Sequence, residues 1–184
     1  MRKVTAGLFY STDGVVESPG SWQFDSFDEE LGKGMDDFLH RVDTVILGRV
    51  SYEEWSSYWP NVDPSEDDFG SFINPVPKFV ASRTLTGELE WENSRLIEGS
   101  LEAFVSELKN TEGREIAVCG SISVVRQLLF AGLLDSLTLM VHPVIAGSGK
   151  HLFEEGDPVT RLELQESQTT SKGNLILTYT LRGE

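Results

Sequence analysis

The stretch IAVCGSISVVRQLLFAGLLDSLTLMVHPVIAGSGK, residues 116–150, contains a strand, a glycine turn, a helix and a second strand in one span. The apolar run Ile116–Cys119 predicts a buried strand, and Gly120-Ser121 lets the backbone turn tightly. A helix is predicted over Ser123–Ala131 because its apolar residues fall on one stripe. A strand-like pattern resumes at Leu133–Met140. The whole stretch is therefore a βαβ unit, and the free amides at the start of its helix form a favourable site for a phosphate group.

Polar donors follow two other predicted strands in the same way. The strand Thr44–Leu47 runs into Gly48, Arg49, Val50 and Ser51, and we expect Ser51 to cap a helix that begins at Tyr52. The strand Lys78–Ala81 ends in Ser82, Arg83 and Thr84. Ligands of open α/β sheets bind at the carboxyl ends of the strands. We therefore expect three donor clusters, Gly48 to Ser51, Ser82 to Thr84 and Gly120 to Ile122, to line one edge of a sheet.

The rest of the chain completes an α/β pattern. Further strands and helices are predicted at Lys3–Phe9, Asp28–Arg41, Arg95–Ile97 and Leu101–Leu108. Arg161–Ser167 and Leu175–Leu181 then alternate around Lys172-Gly173-Asn174, which predicts an antiparallel hairpin. The expected architecture is a three-layer α-β-α fold with a mostly parallel twisted sheet and an antiparallel C-terminal hairpin. We expect residues 1–184 to form a single domain.

Composition limits the classes of partner. The 30 acidic and 15 basic residues give a formal charge of -15, which disfavours binding to nucleic acid or an anionic membrane. No run approaches the roughly 20 apolar residues of a membrane span. Cys119 is the sole cysteine, so an intramolecular disulfide is impossible and we expect a cytoplasmic protein. We interpret Cys119 as a small core residue rather than a nucleophile.

Several motifs, taken together, carry a resemblance to a known family. They are the CGS turn at residues 119–121, AGLLDSL, HPVIAGSGKHLF, the STDG turn at residues 11–14, ILGRVSYEEW and FVASRTL. Taken in their order along the chain, from STDG to HPVIAGSGKHLF, they resemble the dihydrofolate reductase-like superfamily, and in particular the stand-alone form of the RibD C-terminal (riboflavin-biosynthesis reductase) domain. The resemblance spans most of the chain. It departs at Gly120-Ser121, where the family often has two glycines.

The resemblance implies NADPH as the cofactor. On the matching positions, the amides of Gly120, Ser121 and Ile122 and those of the helix start at Arg49, Val50 and Ser51 would hold the pyrophosphate beside Gly48. Ser82 and Arg83 would meet the adenosine 2'-phosphate, which favours NADPH over NADH because Arg83 neutralises the extra charge. The resemblance also implies a homodimer, for which the apolar strand Leu137 to Val141 is a candidate surface.

The substrate side is less defined. Asp13, in the turn with Gly14, is the candidate catalytic and substrate-orienting residue that the riboflavin-type relatives suggest, with an Asx-type turn residue as the alternative. Val15 to Phe27 is an aperiodic loop of a length typical of lids. Trp22 in that loop is predicted to cover a planar ring, or else to pin the loop to the body of the protein.

The function expected is NADPH-dependent hydride transfer to a small heterocyclic substrate, pterin- or pyrimidine-like. An inactive nucleotide- or ligand-binding module on the same fold is the alternative. Dihydrofolate reductase proper ranks lower, because the position of its helix carboxylate falls close to Gly34. His40, His142 and His151 lack the spacing of metal ligands, so no metal site is expected.

Overall fold

The computed structural model describes residues 1–63, 65 and 67–182, which contain eight strands and five α-helices. The strands are β1 (Val4–Ser11), β2 (Val42–Gly48), β3 (Lys78–Ala81), β4 (Ser94–Leu96), β5 (Glu115–Val118), β6 (Ser136–His142), β7 (Leu162–Thr169) and β8 (Leu175–Leu181). The helices are α1 (Glu29–Arg41), α2 (Arg49–Tyr58), α3 (Asp68–Ile73), α4 (Leu101–Leu108) and α5 (Ile122–Phe130). Short 3-10 helices lie at Pro19–Ser21, Phe24–Ser26 and Trp59–Asn61.

All eight strands belong to one sheet in the order β4-β3-β2-β5-β1-β6-β8-β7. The six strands from β4 to β6 run parallel to one another. β8 pairs antiparallel with both β6 and β7, so the C-terminal hairpin closes one edge of the sheet. The predicted fold class, a mostly parallel sheet with an antiparallel C-terminal hairpin, is confirmed.

Apolar side chains pack on both faces of the sheet. One core joins α4 and α5 to the sheet and includes Val105, Leu128 and Ile46. The other joins α2 and α3 to the opposite face and includes Tyr52 and Leu47. Ile46 and Leu47 point to opposite faces because successive side chains alternate along a strand. This burial on both sides explains why the central strands read as continuous apolar runs.

The capping residue and the charged residues at its two ends determine where α1 begins and ends. Asp28 is the N-cap residue, and its Oδ1 accepts a hydrogen bond from the amide of Leu31 at 3.0 Å. Glu29 and Glu30 follow in the first turn, where the helix dipole favours negative charge. His40 and Arg41 occupy the last turn, where it favours positive charge. Leu31 is fully buried and anchors α1 against the sheet.

The start of α2 differs from the prediction. The helix begins at Arg49 rather than Tyr52, and its N-cap residue is Gly48, which has no side chain to cap with. Ser51 therefore lies within the first turn and is not the cap. The reason is that β2 passes directly into α2 with Gly48 in an extended conformation, leaving no residues for a separate turn.

Candidate active site

A cleft of about 1630 Å³ crosses the carboxyl ends of the parallel strands. Residues of all three predicted donor clusters line it, namely Gly48 to Ser51, Ser82 to Thr84 and Gly120 to Ile122. The fold therefore brings together the residues that sequence reasoning assigned to a common site. We call the part of the cleft formed by these clusters and by Arg126 and Lys150 the basic end.

The carboxyl ends of β2 and β5 approach each other closely in the basic end. The amide of Gly48 donates to the carbonyl oxygen of Gly120 at 2.9 Å. A Cβ at Gly48 would collide with the Ser121 hydroxyl, and one at Gly120 would lie 2.5 Å from Ser51 Oγ. Gly120 also has a φ of 115°, which side chains rarely tolerate. Both glycines are therefore required for α2 and α5 to begin side by side.

The first turns of α2 and α5 present unsatisfied amides to the cleft. Gly48 has no side chain with which to cap α2, and Ser121 at the start of α5 makes no capping hydrogen bond with its hydroxyl. The first amides of any α-helix lack partners inside the helix. Two adjacent helix starts of this kind, each with the positive end of its dipole toward the cleft, form a site suited to a pyrophosphate.

Four basic residues line the same end, and three of them have acidic partners. Arg49 pairs with Glu53 at 2.7 Å, Lys150 pairs with Glu17 at 3.2 Å, and Arg126 forms two hydrogen bonds with the carboxylate of Asp157. Within the described part of the chain, Arg83 makes neither an ion pair nor a side-chain hydrogen bond, and it is exposed. Arg83 is therefore the guanidinium that is available to an anionic ligand.

Ser82 shapes the loop that carries Arg83. Its Oγ accepts hydrogen bonds from the amides of Thr84 at 3.1 Å and Leu85 at 2.9 Å. The hydroxyl hydrogen of Ser82 is not used by these two bonds, because the oxygen is the acceptor in both. Ser82 can thus hold the turn and still donate to a ligand.

The opposite part of the cleft has different walls. We call it the apolar end, and its apolar side chains are Phe9, Phe27, Leu31, Met35, Met140 and Ile176. Gly7 on β1 and Gly32 and Gly34 on α1 also line it, as do Thr138 and Thr178. Glu166 and Gln168 on β7 and Asp36, Asp37 and Arg41 on α1 also line this end. α1 forms one wall, while β1, β6, β8 and β7 form the other.

The predicted substrate residues Asp13, Gly14 and Trp22 do not line this cleft. Asp13 accepts hydrogen bonds from the Ser11 hydroxyl at 2.6 Å and from the amides of Ala146 and Gly147 at 2.9 Å each. These three donors, the Ser11 hydroxyl first, lower the pKa of Asp13 to about 2. Asp13 therefore ties its turn to the distant segment around Ala146 and Gly147, which is neither a local Asx-type turn nor a contact with the cleft, and its catalytic role stays a prediction.

Trp22 pins the loop that contains it. Its side chain is mostly buried, its Nε1 donates to the carbonyl oxygen of Glu17 at 3.0 Å, and its ring meets the edge of His142. The loop still reaches the cleft, but through Glu17, Ser18, Pro19 and Phe27. The anchoring interpretation of Trp22 therefore agrees with the structure better than the ring-covering one.

A buried polar network that the sequence did not reveal fixes this loop further. His142 at the end of β6 is fully buried, and its Nδ1 lies 2.7 Å from the Ser26 hydroxyl. Asn174 donates to the carbonyl oxygen of Ser26 at 2.7 Å and to Asp28 at 2.9 Å. Burial lowers the pKa of His142, although the Asp28 carboxylate opposes the shift. The network joins the loop, α1, β6 and the β7–β8 turn.

Cys119 lines the cleft, but its chemistry is not that of a nucleophile. Burial raises the pKa of its thiol to about 12, so the reactive thiolate is scarce near neutral pH. This agrees with the interpretation of Cys119 as a small residue that packs at the end of β5.

The far wall of the cleft was missed at the sequence level. Met140, Ile176, Thr178 and Glu166 come from strands that were recognised without being assigned to the site. Alternation within Leu175–Leu181 places Ile176 and Thr178 on the face opposite the leucines, and this was the available signal. What the sequence did not show is that α1 lies against that face, where Ile176 approaches Gly34.

Two features of the described residues bear on other functions. These residues contain no group of three or more His, Cys, Asp or Glu side chains placed to hold a metal ion. No helix formed by residues 1–63, 65 and 67–182 has the length and apolar character needed to cross a membrane.

Comparisons with known proteins give a consistent result. The profile of the RibD C-terminal domain family matches residues 2–176. Uncharacterized protein YyaP of Bacillus subtilis (strain 168) is 30% identical over 186 residues, covering 99% of this chain and 96% of that protein.

Two solved structures share the fold. The diaminohydroxyphosphoribosylaminopyrimidine deaminase/5-amino-6-(5-phosphoribosylamino)uracil reductase of Thermotoga maritima has a TM-score of 0.68 and 13% identity, over 98% of this chain and 57% of that one. Dihydrofolate reductase of Enterococcus faecalis, complexed with NADP(H) and RAB-propyl, has a TM-score of 0.61 and 16% identity, over 98% of this chain and 97% of that one. At these identities the likeness concerns the fold alone.

Proposed function

Because the chain belongs to the RibD C-terminal domain family, we propose that it is an NADPH-dependent reductase that transfers a hydride to a small heterocyclic substrate. The observation that carries the proposal is the basic end of the cleft. Two helix starts with free amides lie beside an unengaged arginine, Arg83, at the carboxyl edge of a parallel sheet. A dinucleotide with an additional phosphate complements that arrangement.

The residues of the basic end divide between the parts of the cofactor. The amides of Arg49, Val50 and Ser51 and those of Gly120, Ser121 and Ile122 would bind the pyrophosphate, with Gly48 allowing the close approach. Ser82 and Arg83 would bind the 2'-phosphate. This division agrees with the geometry, since the α2 and α5 starts adjoin while the Arg83 loop follows the neighbouring strand β3.

The chemistry required of the chain itself is modest. Bound NADPH would supply the hydride, and one proton from solvent completes the two-electron reduction and leaves NADP⁺. The apolar end would hold the acceptor and exclude water from it. Gly34, which lines this end, has no group with which to hold a proton, so the described residues provide no helix carboxylate of the dihydrofolate reductase kind at that position.

The same feature supports a second candidate function. An apolar end whose described lining residues include no buried carboxylate is also compatible with a module that binds nucleotide and ligand but does not reduce the ligand. Consumption of NADPH, followed by its absorbance in the presence of a panel of pterins, pyrimidines and quinones, separates the two. Turnover of any acceptor favours the reductase, while tight NADPH binding with no turnover across the panel favours the module. Measurable reduction of dihydrofolate would instead support the third candidate, dihydrofolate reductase itself.

We also propose that the protein is a cytoplasmic homodimer. The strand Leu137 to Val141 does not support this, since Leu137 and Leu139 are buried within the protomer. Leu164 on β7 and Leu175 on β8 are better candidates, with 50% and 40% of their surface exposed. The pairing register places both on the same face of the hairpin.

Replacing Arg83 with alanine tests the cofactor assignment. A hydrogen-bonded charge pair contributes about 1.5–3 kcal/mol, so Arg83→Ala should weaken NADPH binding roughly 10- to 100-fold and leave NADH binding nearly unchanged. Calorimetric titration measures both affinities. Arg95→Ala is the matched control, since Arg95 is exposed but does not line the cleft. Equal losses for the two nucleotides in Arg83→Ala would contradict the assignment.

A further inference from the structure

The apolar end is wide because three lining positions carry no side chain. A Cβ at Gly7 would lie 3.7 Å from Met140, one at Gly32 would lie 3.7 Å from Phe27, and one at Gly34 would lie 3.7 Å from Ile176. These are ordinary contact distances, so none of the three glycines is required by a local clash. Their effect is to leave space between α1 and the sheet, where a flat ring could lie.

Aromatic and thioether groups border this space. Phe9 and Phe27 approach each other edge to face, with ring centroids 6.3 Å apart. Met140 and Ile176 are opposite neighbours on β6 and β8 and form the adjoining part of the sheet wall. Aromatic and thioether groups pack favourably against planar rings. The walls therefore favour a planar, largely apolar ligand.

Two threonine hydroxyls allow the same wall to form a few hydrogen bonds with a ligand. Thr138 and Thr178 lie opposite each other on β6 and β8, and their hydroxyl oxygens are 3.1 Å apart. Only one of the two hydroxyl hydrogens is needed for that bond. The pair can therefore donate one hydrogen bond to a ring heteroatom and accept others from ring N–H groups.

The charges at this end are unfavourable for an anion. Asp36, Asp37 and Glu166 line it together with Arg41, and Lys33, which lies outside the lining, pairs with Asp37 at 2.6 Å. Arg41 is already engaged, since its Nη1 donates to the carbonyl oxygen of Asp37 at 3.0 Å and its Nε lies 3.5 Å from Glu115. A phosphate bound here would face carboxylates without an available guanidinium or ammonium group among the described lining residues.

The start of α1 is also unsuited to binding an anion in place of a basic side chain. The amide of Leu31 is bonded to Asp28 Oδ1, and Asp28 itself brings a negative charge to the helix start. An anion-binding helix start needs free amides, as at α2 and α5. The two ends of the cleft therefore differ in the ligands they can bind. The groups that can donate hydrogen bonds to a phosphate, namely the helix-start amides and Arg83, lie at the basic end.

We propose that the apolar end binds a planar ring compound that carries no phosphate and is neutral or positively charged. The proposal rests on the proposed function, in which the phosphorylated cofactor occupies the basic end. It separates this chain from the Thermotoga maritima neighbour, whose name specifies a phosphoribosyl substrate. Glu166 is the specificity-determining residue, because it lines the apolar end, is exposed, and has no ion-pair partner among the described residues.

The test compares compounds that differ only in a phosphate. Riboflavin and FMN, cytidine and CMP, and pyridoxine and pyridoxine 5'-phosphate are titrated into the protein after saturation with NADP⁺, which prevents turnover. Repulsion of a dianion by nearby carboxylates should make the phosphate-free member bind about tenfold more tightly in at least one pair. Equal or tighter binding of the phosphorylated members, or no binding by any phosphate-free member, would overturn the proposal.

Charge substitution at Glu166 makes the test specific. Glu166→Lys should shift the preference toward the phosphorylated member, and Glu166→Gln should shift it part of the way. Glu163→Lys is the control, since Glu163 lies on the same strand, is exposed, and does not line the cleft. An unchanged preference in both Glu166 variants would contradict its assigned role.

The NADP⁺ titration that precedes the ring titrations keeps the two hypotheses apart. Absence of NADP⁺ binding would count against the proposed function. NADP⁺ binding combined with a preference for phosphorylated rings would count against the substrate class alone.

Discussion

His142 shows how one buried residue ties the cleft loop to the sheet. Its ring lies between Phe9 and Trp22, with centroid distances of 5.6 Å and 5.7 Å, and its Nε2 is 3.3 Å from the Gln23 amide nitrogen. These surroundings favour the neutral imidazole, and burial lowers the pKa of His142 below its ordinary value of 6.5. The loop is therefore anchored by a residue whose charge state responds to acid.

The stability of the protein should fall as pH drops below 6.5, because His142 takes up a proton in the unfolded chain before it does so in the folded one. One such group contributes at most about 1.4 kcal/mol per pH unit to this fall. Urea unfolding at pH 7.5 and 5.5 measures the free energy of unfolding. His142→Asn should reduce the difference between the two values, while His40→Asn, at an exposed site, should preserve it. An equal pH dependence in wild type and His142→Asn would contradict the prediction.

Asp13 illustrates where sequence reasoning at the residue scale stops. An aspartate in a STDG turn can orient a ligand or accept backbone amides, and both roles need the same side chain. The distinction depends on the segment around Ala146 and Gly147, which is more than 130 residues away and supplies two of its donors. Arg83 was easier to place, because strand ends share one edge of a parallel sheet whatever the long-range details.

At the scale of elements, the junctions of β2 with α2 and of β5 with α5 determine the basic end. Their close approach requires glycine at residues 48 and 120, and no side chain caps the first turn of either helix. The site is therefore formed mainly by backbone groups. Such a site tolerates change in many side chains, but not the addition of a Cβ at the contact.

Gly48→Ala should weaken NADPH binding strongly. The added Cβ would meet the Ser121 side chain and also its backbone nitrogen at 2.9 Å, so the two helix starts must move apart. Gly34→Ala is the matched control, because its Cβ meets only Ile176 Cδ1 at 3.7 Å and a mid-helix alanine is favoured over glycine by about 1 kcal/mol. Calorimetry and thermal unfolding measure the two effects. NADPH binding by Gly48→Ala as tight as that of Gly34→Ala would show that the contact is not required.

The elements themselves were largely predictable. The bounds of β3, β8 and α4 coincide with those expected, because each is delimited by strong local signals such as the Ser100 cap of α4. The start of α2 was predicted three residues late, since Ser51 is a common capping residue and the direct passage of β2 into the helix has no local signature. The far wall of the cleft depended on packing of α1 against β8, which no local pattern encodes.

At the scale of the whole molecule, charge is distributed unevenly over an acidic protein. The formal charge of -15 coexists with four basic residues at one end of the cleft, where acidic side chains such as Glu17 and Glu154 accompany them. Three of those basic residues are held by acidic partners, which fixes their positions, while Arg83 has no such partner among residues 1–63, 65 and 67–182. The guanidinium of Arg83 and the two helix starts, rather than the overall charge, favour a phosphorylated ligand at the basic end.

The exposed leucines of the hairpin give the dimer proposal a direct test. Sedimentation at micromolar concentration should show a species of about twice the 20.5 kDa protomer mass. Leu164→Glu should shift it to the protomer mass, because a charge in an apolar contact is unfavourable. Val159→Glu is the control, since Val159 is 91% exposed and lies outside the hairpin. A wild-type protein that sediments only as the protomer would refute the proposal.

Calorimetric titration of NADPH and NADH into the purified wild-type protein, at low and moderate salt, tests the proposed cofactor most directly. NADPH should bind more tightly than NADH, and this preference should weaken with salt because it derives from the charge of Arg83 acting on the 2'-phosphate. Binding of neither nucleotide would contradict the reductase proposal, and the basic end of the cleft would then need a different anionic ligand.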